Sequence, residues 1–378
     1  MDLPVRDISV SGYRSLRAIT YPMSRLDVFV GANGVGKSNL YRALELIQAA
    51  AANRLGQRLA AEGLDRAMWA GPKRSRDPVR IGLGVTLAAP GQREGAYRYE
   101  VEVGFPQRVT AAAFDTEPQV KSETLSYLSG SRRVRLVERR NSAVTARDAE
   151  GRPADLDIDL LSSETLLGRL EDPARYPELD LVRRTVLEWR FYHDVRTDAA
   201  SSLRLPCTAV ATPTLASDGS NLAAVFATLA HIRGDTADLD AAVASAFPGA
   251  RLDLPTPERT ATFGLRLPEF PNRVFEPAEL SDGTLRFLAL AGALLAYRLP
   301  PFIALNEPEA SLHPDLMKPL AGLIAKAAER SQVWLVTHSE RLAQALAGEG
   351  AVRTVHKVAG ATEIKGLTLV GTFRDEDD

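Results

Sequence analysis

Apolar residues near the start of the chain alternate or run together, which predicts strands at Val5–Val10 and Leu26–Val30. From Ser38 onward, the segment SNLYRALELIQAAAANRLGQRLAAEGL has apolar residues at helical spacing and contains no proline. A helix should therefore begin near Ser38. The chain thus starts with strands, continues through a glycine-containing loop, and enters a helix.

The pattern changes to short alternating segments between Val79 and Phe105. The segments IGLGVTLA and YRYEVEVGF are separated by APGQREGA, an order that predicts a β-meander. A second β-rich region runs from Glu123 to Pro153, with turn signals at residues 129–131 and 150–153. Residues 155–190 look mainly helical, with a loop at Asp172–Pro177.

Strand and helix patterns alternate again in the last third of the chain. After WRFYHDVR and a proline-punctuated loop, a helix is predicted at about 221–232 and a strand pair around Ala261–Leu267. The following apolar segments are LRFLALAGALLAYRL, PFIALNE, DLMKPLAGLIAKAAE, QVWLVTHS and ERLAQALAG. Because both ends alternate strand and helix around an all-β and helical insertion, the sequence predicts a split α/β domain.

Composition limits the class of protein more than it identifies it. The 378 residues suffice for a large core, and no run approaches the roughly 20 apolar residues of a membrane span. The single Cys207 excludes disulfide frameworks and cysteine-rich metal sites. The net charge is −2, and the 39 arginines against 7 lysines are explained most simply by codon usage. We expect a cytoplasmic globular protein.

The segment VFVGANGVGKSNLYRAL carries the strongest chemical signal. Gly31, Gly36, Lys37 and Ser38 match the phosphate-loop pattern G-x-x-x-x-G-K-[ST], between a predicted strand and a predicted helix. The glycines let backbone N–H groups converge on phosphate oxygens, and the helix N-terminus adds positive potential there. We expect the Lys37 ammonium to reach the β and γ phosphates and the Ser38 hydroxyl to bind Mg²⁺.

Three further segments follow in the last hundred residues. LSDGT begins a long apolar helix, for which Ser281 is a good N-cap residue. The segments LNEPEASLHP and LVTHS each follow an apolar strand. LSDGT or THS alone would indicate little, but all of them occur in a fixed order after the phosphate loop.

In this order the sequence resembles ABC-type ATPases of the RecF, SMC and OLD kind, and most closely the compact AAA-annotated "predicted ATPase" group. The matching segments are ISVSGYRSLR, GANGVGKSN, LSDGT, LNEPEASLHP and LVTHS. The resemblance implies an α/β fold: an ABC-type P-loop ATPase head with a β-rich lobe and an α-helical insertion, without a long coiled coil. It divides the chain into a first half of the head with the β-lobe (1–105), an inserted subdomain (106–200) and a second half of the head (201–378).

The resemblance also implies a homodimer that closes head to tail around two ATP molecules, with LSDGT of one copy capping the nucleotide of the other. It assigns nucleotide contacts to Gly31, Asn33, Gly34, Gly36, Lys37, Ser38, Asn39, Ser281 and Gly283. Mg²⁺ would be held by Ser38 and, through water, by Asn306. Glu307 would orient the attacking water, and His338 would contact the γ-phosphate.

Asn306 departs from the family, which has aspartate at this position. An amide still accepts a hydrogen bond from a metal-bound water but removes one negative charge, and such changes cost about 10–100-fold in metal affinity or activity. This favours hydrolysis at a reduced rate. Two alternatives stay open: ATP binding with negligible turnover, and a missing carboxylate supplied by Glu309 or Asp282.

Weaker candidates have ordinary structural explanations as well. Arg14 in GYRSLR matches a position near the nucleotide in the family, and His313 lies in a loop that crosses the dimer interface there. No glutamine can be assigned to the family's Q-loop. Two clusters favour structural roles over a metal or nucleic-acid site: Tyr192, His193, Asp194 and Arg196 in YHDVR, and Arg132, Arg133, Arg135, Arg139 and Arg140 on a predicted hairpin.

The sequence therefore predicts a slow ATPase that acts on a partner protein or nucleic acid, in DNA repair or phage defence by analogy. The alternative is a nucleotide-gated scaffold that dimerises on ATP and recruits an effector with negligible hydrolysis. The chain shows neither a nuclease domain nor a long arm, so we expect any effector to be a separate protein or DNA, and no membrane partner.

Overall fold

The computed structural model describes residues 3–72, 79–91, 94–106, 114, 116–148, 150–193 and 195–374. The chain forms two compact units. The first comprises Met1–Ser24, Gly31–Trp189 and Arg353–Asp378, and the second comprises Arg25–Val30 and Arg190–Val352. Among the described residues, no helix is long and apolar enough to cross a membrane.

The strands of the described residues are numbered in chain order. They are β1 (Val5–Tyr13), β2 (Leu16–Pro22), β3 (Leu26–Val30), β4 (Ile81–Ala88), β5 (Gly95–Gly104), β6 (Gln119–Ser129), β7 (Arg132–Arg140), β8 (Ala143–Arg147), β9 (Pro153–Asp155), β10 (Arg190–Tyr192), β11 (Cys207–Thr208), β12 (Arg251–Asp253), β13 (Thr260–Ala261), β14 (Gly264–Arg266), β15 (Val274–Phe275), β16 (Phe302–Asn306), β17 (Gln332–Thr337), β18 (Ala351–Val358) and β19 (Ala361–Ile364).

The helices are numbered in the same way. They are α1 (Lys37–Ala51), α2 (Leu55–Glu62), α3 (Leu64–Ala67), α4 (Leu166–Arg169), α5 (Pro177–Leu187), α6 (Leu222–Thr228), α7 (Ala237–Ala246), α8 (Asp282–Leu295), α9 (Met317–Ala328) and α10 (Glu340–Ala345). A π-helix follows α6 at Leu229–Arg233. The longest helix in the described part of the chain, α1, has 15 residues, too short for a long coiled coil.

In the first unit, an antiparallel sheet of eight described strands has the order β2-β1-β4-β5-β6-β7-β8-β9. The predicted meander is confirmed: the alternating apolar residues Ile81, Leu83, Val85 and Leu87 of β4 and Tyr99, Val101 and Val103 of β5 are buried, and each later strand pairs with the one before it. Helix α1 packs against β1, β4 and α5.

The predicted start of a helix near Ser38 is confirmed, since α1 begins at Lys37. The helical pattern after Ser38 is interrupted at Asn53, which has a left-handed φ of 54°. Its side chain accepts a hydrogen bond from the Thr165 backbone (3.0 Å) and donates to Glu164 (3.1 Å), so a tertiary contact overrides helix propensity. Residues 155–190 are also less helical than expected, since only α4 and α5 form there.

The strand pair predicted around Ala261–Leu267 does not form. Strands β13 and β14 are present, but β13 pairs with β11, and β14 pairs with β12 and β15. The residues between them do not form a hairpin turn, because Phe263 is buried and packs edge to face on Phe226 at 5.3 Å. Burial of this ring decides the path of the chain.

The second unit is built on parallel strands in the order β10-β16-β17-β3 among its described residues. Their apolar runs are buried on both faces, as expected for a sheet covered by helices. Helices α8 and α9 pack on each other, and α9 packs on β17. Because the strands are parallel, their carboxyl ends lie at the same end of the sheet. These ends are Tyr192, Asn306, Thr337 and Val30.

A buried carboxylate on β6 links the eight-stranded sheet to α4 and gives a stability prediction. Glu123 accepts hydrogen bonds from the backbones of Leu166 and Leu167 and from the Tyr99 hydroxyl (2.6–2.9 Å). Burial raises its pKa although the Arg139 charge opposes this. Glu123→Ala should lower the free energy of unfolding by about 3–5 kcal/mol, because donors and a buried charge lose their partner. Chemical denaturation measures this, and the exposed, ion-paired Glu102→Ala should change it by less than about 1 kcal/mol.

Candidate functional site

The phosphate loop leaves β3 after Val30 and runs from Gly31 to Gly36, and α1 begins at Lys37. Gly34 and Gly36 have φ of 79° and 97°, a backbone conformation that favours glycine. The Lys37 side chain is buried, and its ammonium donates to the carbonyls of Gly31 (2.6 Å) and Ala32 (2.8 Å). The loop is thus a compact turn closed by its own lysine.

A hydroxyl from the last hairpin braces this loop. Thr362, on β19, donates through Oγ1 to the Val35 carbonyl (2.8 Å) and lies 2.6 Å from Ser15 Oγ. Asn39 donates to the same Ser15 hydroxyl (2.7 Å). A Cβ built on Gly36 would overlap both hydroxyls. The predicted nucleotide residues Gly36 and Asn39 therefore belong to one hydrogen-bonded network with Ser15 and Thr362.

Arg14 lies one residue before this network, between β1 and β2. Its φ is 48°, its backbone N–H donates to the Ala67 carbonyl (2.7 Å), and its guanidinium pairs with Glu62. Burial and the Glu62 carboxylate raise the pKa of the neighbouring Tyr13 phenol, which donates to the same carboxylate (3.2 Å). Arg14 is therefore tethered by α2, and its proximity to the nucleotide stays a prediction.

In the second unit, the chain turns sharply at the carboxyl end of β16. Glu307 has a φ of 48°, and its backbone N–H donates to the Val336 carbonyl of β17 at 2.8 Å. A non-glycine residue in this conformation stores strain, which is common at functional sites. The Glu307 side chain is about one-third exposed. The Oδ1 atom of Asn306 is buried and has no hydrogen-bond partner.

Glu309 links this turn to the end of β17. Its Oε1 accepts from the Thr337 hydroxyl (2.5 Å) and from the backbones of His338 (3.0 Å) and Ser339 (3.2 Å). As a result His338 Nδ1 lies 3.4 Å from Glu309 Oε1 and 3.8 Å from Glu307 Oε2. The structure thus brings together the predicted catalytic residues Glu307 and His338.

The LSDGT segment, residues 280–284, lies at the start of α8, and we call it the signature segment. Ser281 is its N-cap, and its hydroxyl accepts from the Thr284 backbone (3.2 Å). Arg204 donates to the Pro277, Ala278 and Leu280 carbonyls and pairs with Asp282 (2.6 Å). Asp282 therefore has an arginine partner at the surface. The shape of the segment before the signature depends on Arg204, for which the sequence carries no local signal.

Helix α8 also contacts the Glu307 turn. The Arg286 guanidinium donates to the carbonyls of Glu307, Pro308 and Val195, each at 3.3 Å. A Cβ built on Gly283 would lie 3.0 Å from the Ser311 carbonyl in the loop after that turn. The signature helix, the Glu307 turn and the loop after β10 are therefore adjacent within the second unit.

The remaining candidates have structural partners. His313 caps a short helix, with Nδ1 accepting from the Asp315 backbone at 3.3 Å. Tyr192 is buried and donates to the Leu215 carbonyl (2.9 Å), and Arg196 pairs with Asp198 (2.8 Å). His193 follows β10 at the same sheet edge as Asn306. Asp194 lies outside the described residues.

Three of the five arginines of β7 pair with carboxylates. Arg133 pairs with Glu100 (2.6 Å), and Arg135 and Arg140 both pair with Glu138 (2.9 and 2.8 Å). Arg139 is buried and donates to backbone carbonyls. This pairing favours a structural role over a phosphate-binding stripe.

Known proteins resemble this chain in family and in fold. A family model described as "AAA domain, putative AbiEii toxin, Type IV TA system" matches residues 28–343. No curated protein matches the chain.

The solved structures that resemble it include SMC heads. An SMC head bound to the C-winged helix domain of ScpA shares 16% identity and has a TM-score of 0.57. The match covers 97% of this chain and 99% of that one. An SMC head with an extended coiled coil bound to the C-terminal domain of ScpA, from Pyrococcus furiosus, shares 15% identity and has a TM-score of 0.54. The match covers 97% of this chain and 97% of that one. An SMC head with a coiled coil and joint from Pyrococcus yayanosii shares 13% identity and has a TM-score of 0.51. The match covers 97% of this chain and 98% of that one. The shared feature is the fold of an ABC-type ATPase head.

Proposed function

We propose that this chain, which belongs to the AAA domain family and has the ABC-type ATPase fold of SMC heads, binds ATP and hydrolyses it slowly in a head-to-tail homodimer. The observation that carries the proposal is the arrangement at the carboxyl ends of the parallel strands, where Glu307, directly after β16, lies beside His338, directly after β17. Strand β3, which leads into the phosphate loop, is two strands from β16 in the same sheet, and Glu307 directly follows β16.

The phosphate loop supplies the binding energy for the triphosphate. Its left-handed glycines direct successive backbone N–H groups into one concavity, and α1 adds the positive end of its dipole. On nucleotide binding, we expect the Lys37 ammonium to exchange its bonds to Gly31 and Ala32 for phosphate oxygens. Gly31, Asn33, Gly34 and Gly36 then contact phosphates through their backbone.

We propose that Ser38 and Asn306 help to hold a magnesium ion. Ser38 offers a hydroxyl in the first turn of α1, and Asn306 offers a buried oxygen that lacks a donor. Oxygen groups of this kind suit Mg²⁺, which usually keeps several waters. When bound, the ion would neutralise charge on the phosphates during their transfer. Because Asn306 is neutral where the family has aspartate, we expect its own support of the metal to be weaker than that of an aspartate, and turnover to be slow.

Glu307 is the residue that we assign to the attacking water. Its backbone is held by Val336 and Arg286, while its carboxylate is partly exposed. A fixed carboxylate can accept a hydrogen bond from the water and orient it for in-line attack. His338, held beside it by Glu309, can donate to the γ-phosphate.

We propose that Ser281 and Gly283 complete the site of the partner copy. The Ser281 hydroxyl and the N-terminus of α8 suit an anion, and Ser281 and Asp282 are exposed. The dimer would then couple ATP binding to action on a separate effector protein or DNA. A cytoplasmic location is part of this proposal, because ATP is available there.

Mixing two inactive variants tests the shared site. Lys37→Ala removes phosphate binding, and Ser281→Arg blocks the signature, so each homodimer should be inactive. In an equal mixture, half of the dimers contain one intact site, and the activity should return to about a quarter of the wild-type value. Steady-state phosphate release measures this.

Two results would count against the shared site. Activity of the Ser281→Arg protein alone would show that the signature does not act on nucleotide. A mixture as inactive as its components, although the two variants form mixed dimers, would show that no site is shared. If the wild type dimerises with ATP but releases no phosphate, the protein is a nucleotide-gated scaffold instead.

A further inference from the structure

Two buried side-chain oxygens in the described part of the chain have no hydrogen-bond partner, and both lie at the carboxyl end of β16, one on its last residue and one in the turn that follows. They are Asn306 Oδ1 and Glu309 Oε2. Elsewhere among the described residues, every buried side-chain oxygen has a partner. Buried polar atoms are almost always satisfied in folded proteins, so two orphan acceptors three residues apart indicate a donor that the protein itself does not supply.

The two oxygens of Glu309 have different surroundings. Three donors from the end of β17, one hydroxyl and two backbone N–H groups, converge on Oε1. The side chain is only 5% exposed, so Oε2 is removed from bulk water as well. A buried carboxylate oxygen without a donor is costly, whereas a neutral leucine or glutamine could fill the space. A carboxylate at this position is explained if a cation or its water lies against Oε2.

We propose that Glu309 supplies the negative charge that Asn306 lacks. Its Oε2 and Asn306 Oδ1 would accept hydrogen bonds from water molecules bound to the Mg²⁺ of the nucleotide, in place of a single aspartate. This inference rests on the proposed ATP site. It makes Glu309 a positioning residue with two separate tasks: Oε1 holds the His338 loop, and Oε2 supports the metal.

The neighbouring carboxylates are less suited to this task. Asp282 is 58% exposed and already pairs with Arg204, so its charge is neutralised at the surface. Glu307 is needed for the attacking water and extends toward His338. Glu309 combines burial, an uncompensated oxygen and a position at the ends of β16 and β17.

The two tasks can be separated by substitution. Glu309→Gln retains an oxygen for the three donors of the His338 loop but replaces the other oxygen by an NH₂ group, which repels a cation. Thr337→Val does the opposite, because it removes one donor to Oε1 and leaves Oε2 intact. Asn306→Asp returns the family carboxylate, so the double variant Asn306→Asp/Glu309→Gln has the missing charge at its usual position.

The test measures metal binding rather than turnover. Mn²⁺ is titrated into each protein saturated with β,γ-imido-ATP, and free Mn²⁺ is followed by electron paramagnetic resonance. Glu309→Gln should weaken Mn²⁺ binding by about 10–100-fold, and the double variant should recover most of this loss. Thr337→Val should bind Mn²⁺ like the wild type.

Two results would overturn the inference. One is a Glu309→Gln protein that binds Mn²⁺ like the wild type, and the other is a loss of binding that Asn306→Asp does not recover. Binding of the fluorescent nucleotide mant-ATP to the wild type, with Mg²⁺ and with EDTA, is measured first. Absence of any nucleotide binding there would contradict the proposed ATP site itself, so the two failures are distinguishable.

Discussion

Glu307→Gln should reduce steady-state ATP hydrolysis by about 10²–10⁴-fold while ATP binding and ATP-dependent dimerisation persist. Glutamine has nearly the same shape, so the turn held by Val336 and Arg286 should survive. The amide, however, can neither take a proton from the attacking water nor stabilise it by charge. Phosphate release and a nucleotide-binding assay on the same sample measure the two effects separately.

Glu349→Gln is the matched control, because Glu349 is an exposed glutamate of the same unit. It should hydrolyse ATP at the wild-type rate. If Glu307→Gln also turned over at that rate, another group would have to orient the water. If instead Glu307→Gln lost ATP binding as well, the carboxylate would hold the nucleotide rather than activate water.

Gly36→Ala should nearly abolish nucleotide binding. Gly36 has a φ of 97°, and an added Cβ would overlap the Thr362 and Ser15 hydroxyls, so Thr362 must leave the Val35 carbonyl. Strain of about 1–3 kcal/mol from the left-handed backbone adds to overpacking of about 1–3 kcal/mol. If this energy is relieved by reshaping the loop, ATP affinity falls by about 100-fold or more. Isothermal titration calorimetry with ATP measures the loss.

Gly34→Ala provides the matched comparison in the same loop. Gly34 also has a left-handed φ of 79°, but an added Cβ meets no atom within 4 Å. It should lose clearly less affinity than Gly36→Ala, because only the backbone is strained. Equal losses at both positions would show that the brace formed by Thr362 does not shape the loop.

The motifs could be predicted from the sequence because they depend on local pattern. Glycines at fixed spacing, a lysine at the start of a helix and apolar strands that end in polar residues are all visible in the chain, and parallel pairing of β3, β16 and β17 brings their ends to one edge. The roles assigned to these residues stay predictions until they are measured.

The groups that hold the motifs in place could not be predicted, because they act through contacts between distant parts of the chain. Thr362 donates to Val35, which lies 327 residues earlier, and no local pattern in ATEIKG indicates this contact. The sequence raised Glu309 only as a source of charge, whereas its hold on the His338 loop depends on which oxygen faces β17. Asn53 interrupts a good helical pattern for the same reason, since its partners lie more than a hundred residues away.

The dependence of ATP turnover per protein molecule on protein concentration tests the central claim most directly. A site shared by two copies is complete only in the dimer. With saturating ATP and Mg²⁺, turnover per molecule should therefore rise with protein concentration and reach a plateau where sedimentation shows the dimer. Turnover that is the same at concentrations where only the monomer is present would contradict the shared site, and no turnover by a fully formed dimer would contradict the assignment as an ATPase.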